Sequence, residues 1–168
     1  MKKPESLIAV SFFLVIIFGA LLLMLPFAAT GGSIHPVDAL FTSASAVTVT
    51  GLVVMDTEKD FTLFGQLVIL LLLQIGGFGF MTFSTFVLVL MDKAISLKDL
   101  SIIEATFTTG SYKSALDLAK KIVLMTLGVE FLGALLLYFQ FTQLKGFHRV
   151  FASIFHAASS FCNAGFSI

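Results

Sequence analysis

An all-α polytopic membrane protein is the fold class this sequence predicts, and three observations predict it. Of 168 residues, 58% are hydrophobic and 12% charged, with a mean hydropathy of +1.04. Soluble domains carry about 45–50% apolar and about 25% charged residues, so a water-soluble globule of this length could not bury the excess. Next, three apolar runs, Leu7 to Ala28, Leu63 to Met91 and Ile122 to Phe141, contain one charge between them, Glu130. Each reaches the roughly 20 helical residues needed to cross about 30 Å of hydrocarbon. Finally, two loops of one unusual composition recur at a fixed distance along the chain. Disorder is excluded by the same apolar excess. Ten basic and ten acidic side chains leave no net charge and no basic surface for nucleic acid. The single cysteine, Cys162, excludes an internal disulfide or a cysteine metal cluster.

The first run follows Lys2 and Lys3 and precedes Ala28 and Ala29, a pattern shared with cleaved signal peptides. Its apolar stretch is longer than the about 7–15 residues of a signal core, so it reads as a span. Orientation follows from basic residues. One side receives Lys2, Lys3, Lys93, Lys98, Lys113, Lys120 and Lys121; the other receives Lys59, Lys145 and Arg149, with Asp38, Asp56, Glu58 and Asp60. The N-terminus and segment 92–121 are therefore expected in the cytoplasm, and loops 29–62 and 142–168 outside. Within the cytoplasmic segment, Ser96 followed by Asp99 reads as a helix start, and Leu97, Leu100, Ile103 and Phe107 recur at helical spacing. Gly110 breaks that helix and Ser111 can cap the next. The segment is a membrane-surface connector or a regulatory contact surface.

Both outer loops are rich in small and hydroxylated residues and end in a lone glycine, Gly51 and Gly165, 114 residues apart. At that offset Leu40 meets Ile154, Phe41 meets Phe155, Ala44 meets Ala158 and Ser45 meets Ser159, and the first span falls on the third. One shift superposing a helix and a loop marks an internal repeat: helix, re-entrant loop, helix. The predicted organisation is a first repeat over 1–91, a cytoplasmic amphipathic connector over 92–118, and a second repeat over 119–168 that stops after its loop. The helix closing it would fall at 177–205, so the sequence is expected to be the N-terminal part of a longer chain.

Non-helical backbone is tolerated at membrane depth only where it lines a water-filled cavity or is buried in protein. Pro36 can open a short helix over 37–47, whose C-terminal end favours a cation just beyond it. There lies Thr48-Val49-Thr50-Gly51, where glycine frees the backbone to align consecutive carbonyls. Several such loops around an axis would replace the hydration shell of a potassium ion. With no carboxylate at this point, a monovalent cation is favoured over calcium or magnesium. The plainer reading of either loop alone is an extracellular turn with a capping glycine.

The segments Thr42 to Leu52, Phe61 to Gln66, Gln74 to Phe83, Glu130 to Leu137, and Phe155-His156-Ala157 with Cys162 to Phe166 resemble the membrane subunit of the Trk/Ktr/HKT superfamily of potassium transporters, most closely the Ktr-type bacterial proteins. The resemblance implies a pseudo-fourfold pore of four helix–loop–helix repeats, of which about one and a half are present. It implies filter strands at Val49, Thr50, Gly51 and Leu52 and at Asn163, Ala164, Gly165 and Phe166, coordinating through backbone carbonyls. It further implies K+ as the transported ion, with Na+ associated with some members. A cytoplasmic nucleotide-binding regulatory subunit, a homodimer of full-length membrane subunits and a bacterial plasma-membrane location are also implied. On this reading no cofactor is needed, this stretch alone does not conduct, and the function belongs to the complete protein.

Glu130 lies mid-span, where an ionised carboxylate is expensive and function is the default reading; the competing role, favoured here, is hydrogen bonding between helices, since its repeat counterpart is Ile16. Gln74, with Gly76, Gly77 and Gly79, suits close helix packing and amide bridging. His35, His148 and His156 have no acidic or cysteine partner at ligand spacing, so no transition-metal site is expected. Two other function classes compete with transport. One is a non-transporting assembly or scaffold subunit complete at 168 residues. The other is a membrane-embedded enzyme using Glu130 with His148 or His156.

Overall fold

The computed structural model describes residues 4–79 and 112–168. The remainder of the second apolar run (80–91) and the connector with Ser96, Asp99, Gly110 and Ser111 lie outside the described residues, as do Lys2, Lys3, Lys93 and Lys98. The described parts form five helices: α1 (Pro4–Leu23), α2 (Pro36–Val47), α3 (Leu63–Phe78), α4 (Tyr112–Gln140) and α5 (Gly146–Phe161). Among the described residues, extended backbone pairs only at isolated bridges from Ala29 to Gly32 and to Phe61. The fold is all-α.

α1 stops short of the predicted end of the first span. Pro26 has no N–H to offer and disfavours helical geometry at Leu25. The last helical bond runs from Met24 N to Ala20 O, and Leu25 N then turns back to Leu22 O. α2 begins as expected: His35 caps it, its Nδ1 accepting from Val37 N at 3.3 Å, and Pro36 occupies the first turn. Asp38 adds a favourable charge to the positive end of the helix dipole.

α2 packs on α1 through small residues. Ser43 is fully buried and donates to the Ile16 carbonyl at 2.7 Å, and a Cβ on Gly19 would fall 2.5 Å from Ser43 Oγ. α4 and α5 meet at the corresponding place, where a Cβ on Gly133 would lie 3.5 Å from Ala157 Cβ. Gly133 and Ala157 each stand 114 residues after their α1 and α2 counterparts.

A compact turn joins α2 to α3. The Asp56 carboxylate accepts the Glu58 and Lys59 amides, and Asp60 accepts the Asp56 amide at 2.7 Å. Gln66 reaches back from α3 to the Thr57 and Phe61 carbonyls. Thr62 caps α3 and also donates its hydroxyl to the Phe27 carbonyl at 2.6 Å, tying the α3 start to the chain leaving α1.

The core gathers Leu23 of α1, Val47 of α2, Ile69 and Leu73 of α3, Phe155 of α5 and Phe61, and it includes Ala164 and Phe166 from the final loop. Among the described residues, one helical stretch, Lys120–Gln140, is long and apolar enough to cross a membrane; Ala9–Leu23 and Leu63–Phe78 are shorter apolar helices. α4 leaves Leu124, Met125, Phe131, Leu136 and Phe139 exposed on several sides. Such a surface suits lipid or further protein rather than water.

Candidate functional site

α2 and α5 end in the same backbone motif. After α2, Thr48 N bonds Ala44 O, Val49 N bonds Ala46 O and Thr50 N bonds Ser45 O, at 2.9, 3.2 and 2.9 Å. After α5, Cys162 N bonds Ala158 O, Asn163 N bonds Ser160 O and Ala164 N bonds Ser159 O, at 2.9, 3.1 and 2.8 Å. Both are Schellman closures, which satisfy the last helical carbonyls with a residue in the left-handed region. That residue is Val49 at φ +54° and Asn163 at φ +57°. Two residues later, Gly51 and Gly165 have φ of +77° and +74°. Each donor, acceptor and positive φ recurs 114 residues on.

The two loops converge at these glycines. A Cβ on Gly165 would lie 3.5 Å from the Gly51 Cα, and one on Gly51 would overlap the Ala164 carbonyl oxygen. A side chain is therefore excluded at Gly51 twice, by conformation and by space. Asn163, Gly165, Thr50 and Leu52 are exposed, Val49 and Gly51 half-buried, and Ala164 and Phe166 buried. The Phe166 carbonyl accepts the Ser159 hydroxyl at 2.6 Å. The Thr48 hydroxyl donates to Ala44 O at 2.8 Å, so Thr50 Oγ1, 2.6 Å away, donates to it in turn.

α3 supports both loop starts with its paired glycines. A Cβ on Gly76 would strike the Val47 carbonyl and approach Val49 Cγ2 to 2.9 Å; one on Gly77 would strike Cys162 Sγ. One turn away, Gln74 Nε2 donates to Glu130 Oε2 at 2.6 Å, which ties α3 to α4. Among the described residues, Gln74 Oε1 and Glu130 Oε1 are buried without a partner. Glu130 is thus paired with Gln74, whereas His156 Nδ1 lies 2.8 Å from the Ala152 carbonyl with its ring against Phe141. Among the described residues, no group of three histidine, cysteine or acidic side chains could hold a metal ion.

Beside Gly165 opens a cavity of about 450 Å³, lined by Met55, Asp56, Glu58 and Ser167 among others. Asp56 is held below the ordinary carboxylate range by the hydrogen bond from the Lys59 ammonium, 2.8 Å away. Sequence reasoning singled out the glycines but missed three features: the left-handed residues two positions before them, the hydrogen bond from Ser159 to the Phe166 carbonyl and the cavity beside Gly165. Asn163 carried a signal for the first, since asparagine tolerates that region; Val49 carried none.

The family model for the TrkH cation transport proteins matches residues 2–168. The chain belongs to this family. It is 44% identical to the Ktr system potassium uptake protein B of Bacillus subtilis, over 98% of the chain and 37% of that protein. It is 38% identical to the potassium/sodium uptake protein NtpJ of Enterococcus hirae, over 99% of the chain and 37% of that protein. It is 37% identical to the Ktr system potassium uptake protein D of Bacillus subtilis, over 99% of the chain and 38% of that protein. The chain spans a little over a third of the length of these curated relatives. Membership of a cation transport family points away from the membrane-embedded enzyme weighed from Glu130 with His148 or His156.

Proposed function

We propose that this chain supplies two adjacent filter strands of a potassium uptake pore, completed by further strands of the full-length protein. The observation that carries the reading is the backbone motif after α2, repeated after α5, with Gly51 and Gly165 in contact. Both helices direct their C-terminal, partially negative ends toward the strands, which favours a cation there. Selectivity arises from backbone carbonyls within the two strands, Val49 to Leu52 and Asn163 to Phe166, which stand in for hydration water. The names of the relatives support K+ as the transported ion, and NtpJ supports Na+ as a second. The working unit is a plasma-membrane homodimer with its N-terminus in the cytoplasm, regulated by a separate cytoplasmic nucleotide-binding subunit. Gln74 and Glu130 hold α3 and α4 together behind the strands and do not touch the ion.

The test is made on the full-length protein in cells lacking their own potassium uptake. Gly51→Ser and Gly165→Ser should each lower the K+/Na+ flux ratio roughly tenfold, about 1.4 kcal/mol of lost discrimination. An unchanged ratio in both would remove the filter assignment.

A further inference from the structure

The two loops differ at one hydrogen bond. Ser159, 3% exposed, donates its hydroxyl to the Phe166 carbonyl at 2.6 Å, and its own carbonyl accepts the Ala164 amide at 2.8 Å. One residue thus grips the chain on both flanks of Gly165. Ser45 holds the same register on α2 and is as deeply buried, at 5%, yet its Oγ has no partner among the described residues. Its backbone grip, Thr50 N to Ser45 O, is present; the hydroxyl grip is not. The ends of the loops differ accordingly: Phe166 is 2% exposed and lies in the core, whereas its counterpart Leu52 is 59% exposed.

We infer that Ser159 is a positioning residue for the second strand, with the Phe166 carbonyl as its tether point rather than an ion ligand. A carbonyl that accepts a buried hydroxyl from α5 is turned toward that helix. For a hydroxyl this deeply buried, leaving it unpaired costs its full desolvation, which favours the bond to the Phe166 carbonyl. With Ala164 and Phe166 both tied to one residue of a rigid helix, the peptide planes around Gly165 have little freedom. The orientation of the Ala164 and Gly165 carbonyls is therefore set from α5. This inference rests on the filter reading above.

Three variants of the full-length protein separate the two claims, read as K+/Na+ flux ratio and half-saturating K+ concentration in cells lacking other potassium uptake. Ser159→Ala should lower the ratio roughly three- to tenfold, the worth of one hydrogen bond, and raise the half-saturating concentration. Ser45→Ala, which removes the same atom at the same register and burial, should leave the ratio within about twofold, since that hydroxyl makes no bond. Gly165→Ser reports on the filter itself. A normal ratio in Ser159→Ala beside a degraded one in Gly165→Ser overturns the tether and leaves the filter standing. An equal loss in Ser45→Ala also overturns it, because the effect then follows the removal of a buried hydroxyl rather than the bond. Normal ratios in both Ser159→Ala and Gly165→Ser overturn the filter reading and the tether with it. Fluxes are taken after subtracting those of cells that lack the protein and at matched membrane levels of each variant, so a fall in expression alone does not lower the ratio.

Discussion

Val49 and Asn163 hold the same left-handed backbone with unequal ease. Asparagine visits that region readily, whereas a β-branched side chain pays about 1–3 kcal/mol, which the surrounding structure must supply. Part of that support is Gly76, whose missing side chain makes room for Val47 and Val49. Gly76→Ala should therefore destabilise the full-length protein by about 1–3 kcal/mol through overpacking, read as a lower midpoint of thermal inactivation. Gly128→Ala, on α4 with nothing among the described residues within 4 Å of the added atom, should stay within about 1 kcal/mol of the parent. At the turn between α2 and α3, the Lys59 ammonium depresses the Asp56 pKa and the Asp56 carboxylate raises that of Lys59. The contribution of the pair is thus present at neutral pH. It is lost in acid as pH falls through the depressed Asp56 value, and in base as pH rises through the raised Lys59 value. Lys59→Met should return the Asp56 titration, followed by carboxyl NMR shifts, toward the ordinary range; an unmoved titration would contradict the pairing.

The five helices are joined by contacts of unequal legibility. The α2 boundaries followed from Pro36 and from the small-residue run ending before Gly51, and α5 ends 114 residues later, as the offset required. The early stop of α1 was legible too, since Pro26 stands in the sequence, yet unbroken hydrophobicity suggested a span through Ala28. The pairing of Gln74 with Glu130 was not legible, because nothing local records that residues 56 positions apart will meet. That pair carries a prediction for the α3–α4 junction. Glu130→Leu leaves the Gln74 amide buried without its acceptor and should cost about 1–3 kcal/mol of thermal stability. Glu130→Gln keeps an oxygen for the same bond and should cost clearly less. Equal damage from both would mean that the carboxylate charge, rather than the hydrogen bond, is what α3 requires.

At the scale of the molecule, two chemically similar loops, 114 residues apart in sequence, meet at one point. The period was readable from residue types alone, but the contact between Gly51 and Gly165 was not, because it depends on how α3 seats its glycines under both helix ends. Each loop alone is an ordinary helix closure; side by side, on the proposed reading, they make two strands of a ring. The measurement that tests this most directly is the structure of the full-length protein with rubidium or thallium, whose anomalous scattering locates the ion independently of the chain. The account predicts ion density on the axis faced by both strands, within coordination distance of carbonyls from 49–51 and 163–165. Density confined elsewhere, with both strands empty under conditions that support transport, would contradict it.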